Sequence, residues 1–244
     1  MVRRDEHDLK QSLDDLVLAC RILEMEGHGG GRPVGHIGLR DPLGRGFWIK
    51  RAGIGLDEVF SSTDLMLLDL DGKRLEGDGK CHNEWSIHAE IFRRRPDINA
   101  TAHTHAFYSR VFSAARAQLT PVSVAGSHFQ PPPPCYEDTW RQIITPALGR
   151  GVAEALGPHM AIFLRNHGAI FCGETLKDML LNGLTLEEAC REQLTISGSG
   201  LSWSWENDQP VDQDTSNVHQ GTRPIEMYWQ YYCRKLARLE GVKS

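Results

Sequence analysis

The chain has no stretch near the ~20 consecutive apolar residues that a membrane-spanning helix needs. Its first residues, MVRRDEHDLKQ, hold no apolar run of the kind a secretory signal carries. The cysteines (Cys20, Cys81, Cys135, Cys172, Cys190 and Cys233) are scattered, with no C-x-x-C pair. That spacing argues against a disulfide scaffold, which would be shorter and denser in cysteine, and for reduced thiols in a cytoplasm. Positive charge is in deficit: 27 basic residues face 32 acidic ones, a net charge of −5. Binding driven by neutralising nucleic-acid phosphates is therefore not expected. The glycine-dense GHGGGRPVG lacks the lysine of a nucleotide P-loop and follows a helical pattern rather than a strand, so that reading fails on context. No internal repeat or composition break divides the chain.

What remains is ordinary globular material, 40% hydrophobic and 24% charged over 244 residues, enough for one sizeable core. Leu9, Leu13, Leu16, Val17, Cys20 and Leu23 recur at three- and four-residue steps and predict an amphipathic helix over 9–25. Strand-like runs follow at 34–39, 46–51 and 65–70, the last closed by Asp71-Gly72. Glu84 to Arg94 has helical spacing, ended by Pro96, with Arg93–Arg95 complementing the helix dipole. Asn99–Thr104 reads as a strand and Phe107–Ala115 as a helix. The four consecutive prolines in 126–138 predict a stiff exposed loop. Two buried strands are expected at 160–165 and 169–172 around Asn166-His167-Gly168, then a long helix at 175–196. A polar loop at 198–221 and a C-terminal aromatic helix at 222–240 complete one domain, 1–244. The irregular alternation points to an α/β/α sandwich with a mainly antiparallel central sheet.

The candidate chemistry starts at TAHTHAFYS, where His103 and His105 stand two apart on a strand and so share a face. They are either partly buried histidines or two ligands of one metal. His167, beside Gly168 in a tight turn, is either a turn histidine or a third ligand. Glu84 opens the helix leading to that strand; it is a further ligand, a proton shuttle, or an acidic group at the helix dipole. Three histidines and a carboxylate suit zinc, manganese, iron or cobalt, and ligand type does not choose among them. His88, on the apolar side of its helix, reads as a packing residue, and His7, His28, His159 and His219 as structural or surface residues.

The combined pattern resembles the class II aldolase/adducin family: Glu84-Trp85 with His88, Arg95-Pro96-Asp97 with Asn99-Ala100, His103 and His105, and Asn166-His167-Gly168. The resemblance covers about residues 9–195. It implies that His103, His105 and His167 hold one divalent ion per subunit, with Glu84 as a ligand or acid/base. It also implies an α/β/α sandwich and a homotetramer with active sites between subunits. At three places where sugar-phosphate members of the family cradle phosphate with small polar residues, this chain has His36-Ile37-Gly38, Ala52-Gly53 and His82-Asn83. Imidazoles and a methyl replace hydroxyl and amide donors, which points away from phosphate and towards the family's metal-dependent aromatic decarboxylases.

A small carboxylate substrate fits these changes. His36 and His82 would donate to a carboxylate, or His36 would protonate the reacting carbon. Lys50 and Arg51 offer cations for a second carboxylate, beside Gly53; the alternative is ordinary strand alternation. His128 is a candidate lid residue or an exposed one. Tyr228, Tyr231 and Tyr232 are either a site contribution, Tyr228 foremost, or an aromatic interface stripe. The expected activity is a carbon–carbon lyase, decarboxylating a hydroxylated aromatic or heteroaromatic carboxylate in aromatic-compound breakdown. Retro-aldol cleavage of a hydroxy-ketone, oxygen chemistry on iron, or a non-catalytic oligomeric module are the alternatives.

Overall fold

The computed structural model describes residues 2–205 and 224–241. Helix α1 (Val2–Met25) is followed by strands β1 (His36–Arg40) and β2 (Phe47–Lys50), a 3-10 turn (Ser62–Asp64), and strands β3 (Leu65–Leu68) and β4 (Arg74–Glu76). Then come α2 (Trp85–Arg94), β5 (Ala100–Thr104), α3 (Phe107–Ala114), α4 (Val124–Ser127), β6 (Cys135–Tyr136) and α5 (Pro146–Leu156). The hairpin β7 (Ala161–Leu164) and β8 (Gly168–Gly173) leads into α6 (Leu176–Gly198), and α7 (Ile225–Leu239) closes the described chain. The expected loop at 198–221 lies mostly outside the described residues.

One eight-stranded sheet runs in the order β4-β3-β2-β1-β5-β8-β7-β6. Every pairing is antiparallel except β6 with β7. Strand alternation sends Ile37, Leu39, Ala100, Ala102, Ala169 and Phe171 to one face, where they pack with Leu16, Leu23, Leu180 and Trp229. Phe47, Ile49, Ile170 and Cys172 go to the other face, against Ile87 and Ile91 of α2 and Val152 of α5. The α/β/α sandwich with a mainly antiparallel sheet is thus observed. Among the described residues no helix is long and apolar enough to cross a membrane.

The proline segment differs from its expectation. Residues 124–127 form a helical turn, Phe129 and Tyr136 are buried, and Cys135–Tyr136 adds a parallel edge strand. An edge position tolerates neighbouring prolines because one side of the strand needs no donors. The helix α5 follows a sequence signal of its own, since the Thr145 hydroxyl accepts the Leu148 N–H and Pro146 sits at the helix start.

Candidate metal centre

Strand β5 places the first ligand. His103 lies opposite His36 on β1 and opposite Ile170 on β8, deep in the sheet and fully buried. Its Nδ1 sits 3.0 Å from the Ala169 carbonyl oxygen, a bond only the N–H tautomer can make. Nε2 is left with its lone pair outward, buried and without a partner among the described residues. A ligating imidazole is held in this way, its second nitrogen fixed by a carbonyl. His105 follows just past the strand, and its backbone N–H donates to the His28 carbonyl. His167 comes from the β7–β8 turn, where Asn166 takes a φ of 55° and the His167 N–H closes onto Leu164.

The rings of His103, His105 and His167 have centroids 4.7 to 5.1 Å apart, and one nitrogen of each lies within 4.8 Å of the others. Gly168 permits this approach. A Cβ there would stand 2.4 Å from the Thr104 carbonyl oxygen and 2.9 Å from His105 Cδ2. Gly168→Ala is therefore expected to destabilise the fold by about 1–3 kcal/mol and to weaken metal retention. Denaturant unfolding and metal analysis check this, and native values for both would refute the steric argument.

Glu84 sits at the N-cap of α2 but makes no capping bond. Its carboxylate turns inward, with Oε2 3.7 Å from His103 Nε2 and Oε1 3.9 Å from His167 Nε2, while Oε1 accepts the Ile143 N–H. Burial pushes the Glu84 carboxyl above its usual range. Burial also holds His103 well below the ordinary imidazole value and lowers His105 to about 4. Neutral imidazoles are the form that binds metal. His103 Nε2 is buried without a hydrogen-bond partner among the described residues. Leaving it so costs about 1–3 kcal/mol, which an ion bound at that nitrogen removes. The set fits a divalent metal.

Beside the triad lies a second group. His36 packs against His82 and His103, with ring centroids at 4.6 and 5.4 Å. Its Nδ1 is 2.7 Å from Nε2 of His88, and Nδ1 of His88 bonds the Thr101 hydroxyl. His88 is fully buried and stands outside the triad, as expected of a packing residue, and its two nitrogens add hydrogen bonds that a helix-face pattern does not show. Lys50 is fully buried; its Nζ donates to the Ile54 carbonyl at 2.6 Å and lies 3.1 Å from His82 Nε2. Burial lowers the Lys50 ammonium to about 8 and the His82 imidazolium to about 3.

The other candidates stand apart. Arg51 pairs with Asp64 at 3.3 Å and is 40% exposed. Gly53, at a φ of +87°, has open space where a side chain would be. His128 bonds Asn182 of α6, which in turn donates to the Cys172 carbonyl, so it is anchored rather than poised as a lid. Tyr228 is 43% exposed on α7, next to Glu226, whose partner Lys177 lies at the start of α6. The structure does not bring Tyr228 to the histidines within one chain.

The model of the class II aldolase and adducin N-terminal domain matches residues 14–194. The chain belongs to this family. It is 34% identical over 144 residues to decarboxylase NovR of Streptomyces niveus, covering 58% of this chain and 53% of that protein. The match thus spans about half of that relative's length. It is 28% identical over 205 residues to the 3,4-dihydroxyphthalate decarboxylase of Arthrobacter keyseri, covering 76% of this chain and 78% of the other. Among solved structures, the L-fuculose 1-phosphate aldolase of Glaciozyma antarctica PI12 superposes with a TM-score of 0.77 at 24% identity, over 97% of this chain and 92% of that one. That likeness carries the fold alone.

Proposed function

We propose that this protein is a divalent-metal-dependent carbon–carbon lyase that decarboxylates a hydroxylated aromatic or heteroaromatic carboxylate. The observation that carries the reading is a buried cation, Lys50, joined through His82 and His36 to the ring of His103. The Lys50 ammonium engages the Ile54 carbonyl and His82 Nε2, which leaves its third N–H for an anionic group of the substrate. Names of relatives support decarboxylation as well, in NovR and the dihydroxyphthalate enzyme.

His103, His105 and His167, with Glu84 beside them, would hold the ion. When bound, a divalent ion supplies Lewis acidity that withdraws electrons from a chelating hydroxyl and carboxylate. The chain's own groups do the rest. Lys50 holds a carboxylate at the far side of the substrate. The bond from ring carbon to carboxylate breaks, carbon dioxide leaves, and the electron pair stays on the ring carbon. A proton reaches that carbon from Glu84 or His36. His103 and Glu84 are buried, which limits water on their side of the carbanion. Retro-aldol cleavage of a hydroxy-ketone uses the same electron sink, which keeps it as the second reading.

A homotetramer with the sites between subunits, in a cytoplasm, completes the proposal; Met227, Tyr228 and Tyr231 are exposed on α7 for such contacts. Metal analysis and light scattering of the purified protein come first. Anaerobic carbon dioxide release is then measured from 3,4-dihydroxyphthalate, other hydroxylated aromatic carboxylates and hydroxy-ketones. A metal-loaded tetramer releasing carbon dioxide without oxygen is expected. Cleavage of hydroxy-ketones alone selects the aldolase reading, and full activity without metal rejects both.

A further inference from the structure

His88 fills a space that an apolar side chain would fill without needing hydrogen-bond partners, yet both of its nitrogens are engaged. It follows Glu84 by one turn of α2, so the two project to the same side of the helix. Their partners stand on neighbouring strands as a cross-strand pair: Glu84 reaches His103, and His88 reaches His36. The other nitrogen of His88 bonds Thr101, on the same strand as His103. The sheet is hollowed to admit the ring. A Cβ on Gly38 would lie 2.6 Å from His88 Cγ. His36, in turn, has Nδ1 taken by His88, while its Nε2 makes no hydrogen bond among the described residues and its ring packs against His82 and His103.

We propose that His88, braced by Thr101, is a positioning residue that fixes the ring and the tautomer of His36, so that His36 presents Nε2 to the substrate beside the metal centre. A bond between two neutral imidazoles takes one N–H and one lone pair, so the tautomer of one ring dictates that of the other. The Thr101 hydroxyl, able to donate or accept, completes the chain at its buried end. What His36 does to the substrate rests on the lyase reading above; how it is held rests on the geometry alone.

The test is magic-angle-spinning 15N spectroscopy of the zinc-loaded protein labelled in histidine, with His36 assigned by its loss in His36→Gln. The native chain is expected to show His36 as one neutral tautomer. His88→Phe, which fills the space but offers no nitrogen, is expected to give a mixture. His88→Gln, which returns a polar group near the Nε2 position, is expected to restore a single form. With 3,4-dihydroxyphthalate as probe, kcat should fall roughly tenfold to a hundredfold in His88→Phe and recover in His88→Gln, with zinc content and KM unchanged. An unaltered His36 signal in folded His88→Phe overturns the proposal. Should that variant not fold, Thr101→Val replaces it, and an unaltered His36 signal there overturns it equally. If the native chain turns over neither this probe nor the other hydroxylated aromatic carboxylates and hydroxy-ketones, the lyase reading fails while the spectra still decide the role of His88.

Discussion

Replacing His103 by alanine is expected to empty the metal centre and stop turnover together. Three features single this residue out among the imidazoles. It is completely buried, its Nδ1 is committed to the Ala169 carbonyl, and its Nε2 has no partner among the described residues. No other side chain can take its place, because its strand neighbours at that position are His36, held by His88, and Ile170. The loss should exceed the ~10–100-fold effects that follow from removing a group outside the ligand set. Stability supplies an independent readout. An ion at about 100 times its dissociation constant stabilises the folded state by ~2.7 kcal/mol, so added zinc should raise the melting temperature of the native chain and not of His103→Ala. A variant that retains zinc and activity would remove the triad from the mechanism.

The triad was the legible part of the site. Period-two geometry puts His103 and His105 on one side, and Asn166-His167-Gly168 marks a turn whose glycine proves to be required by the Thr104 carbonyl. Those signals are local. The relations that give the other residues their roles are not. His36 and His88 are 52 residues apart in sequence, and Lys50 and His82 are separated by 32. The apolar pattern of α2 reports that His88 is buried and is silent on what it bonds. Glu84 illustrates the same limit from another side. A carboxylate at a helix start reads naturally as a dipole partner, whereas here the Ile143 N–H and the two imidazoles set its direction. The layers were legible from alternation, because most strands bury one apolar set on each face. The proline segment misled because proline content reports hydrogen-bonding capacity. Burial of Phe129 and Tyr136 depends on the packing around them.

Lys50→Met is expected to separate the two chemical readings and to leave a distinct mark on stability. If Lys50 receives a substrate carboxylate, its removal costs about 2–5 kcal/mol of binding, a rise of roughly thirtyfold or more in KM for carboxylate substrates. A neutral hydroxy-ketone should be almost unaffected. The stability effect follows from burial of the ammonium, which lowers it from the ordinary 10.5 to about 8. Below about pH 8 the group is charged in both folded and unfolded chains, and the cost of burying that charge is fully present. Between about 8 and 10.5 the folded chain has lost the proton and the unfolded chain retains it, so the cost is relieved and stability rises with pH. The shift corresponds to roughly 3 kcal/mol. Methionine carries no charge, and it leaves Ile54 O and His82 Nε2 without their donor, a penalty of ~1–3 kcal/mol each that does not depend on Lys50's proton. The two contributions oppose each other at neutral pH, so the absolute stability of the variant says little. Its difference from the native chain does: denaturant unfolding at pH 7 and pH 10 should show the native chain gaining up to ~3 kcal/mol on Lys50→Met over that range. A difference that stays flat with pH would mean the ammonium is solvated in the folded state, and the buried anion receptor would be lost with it.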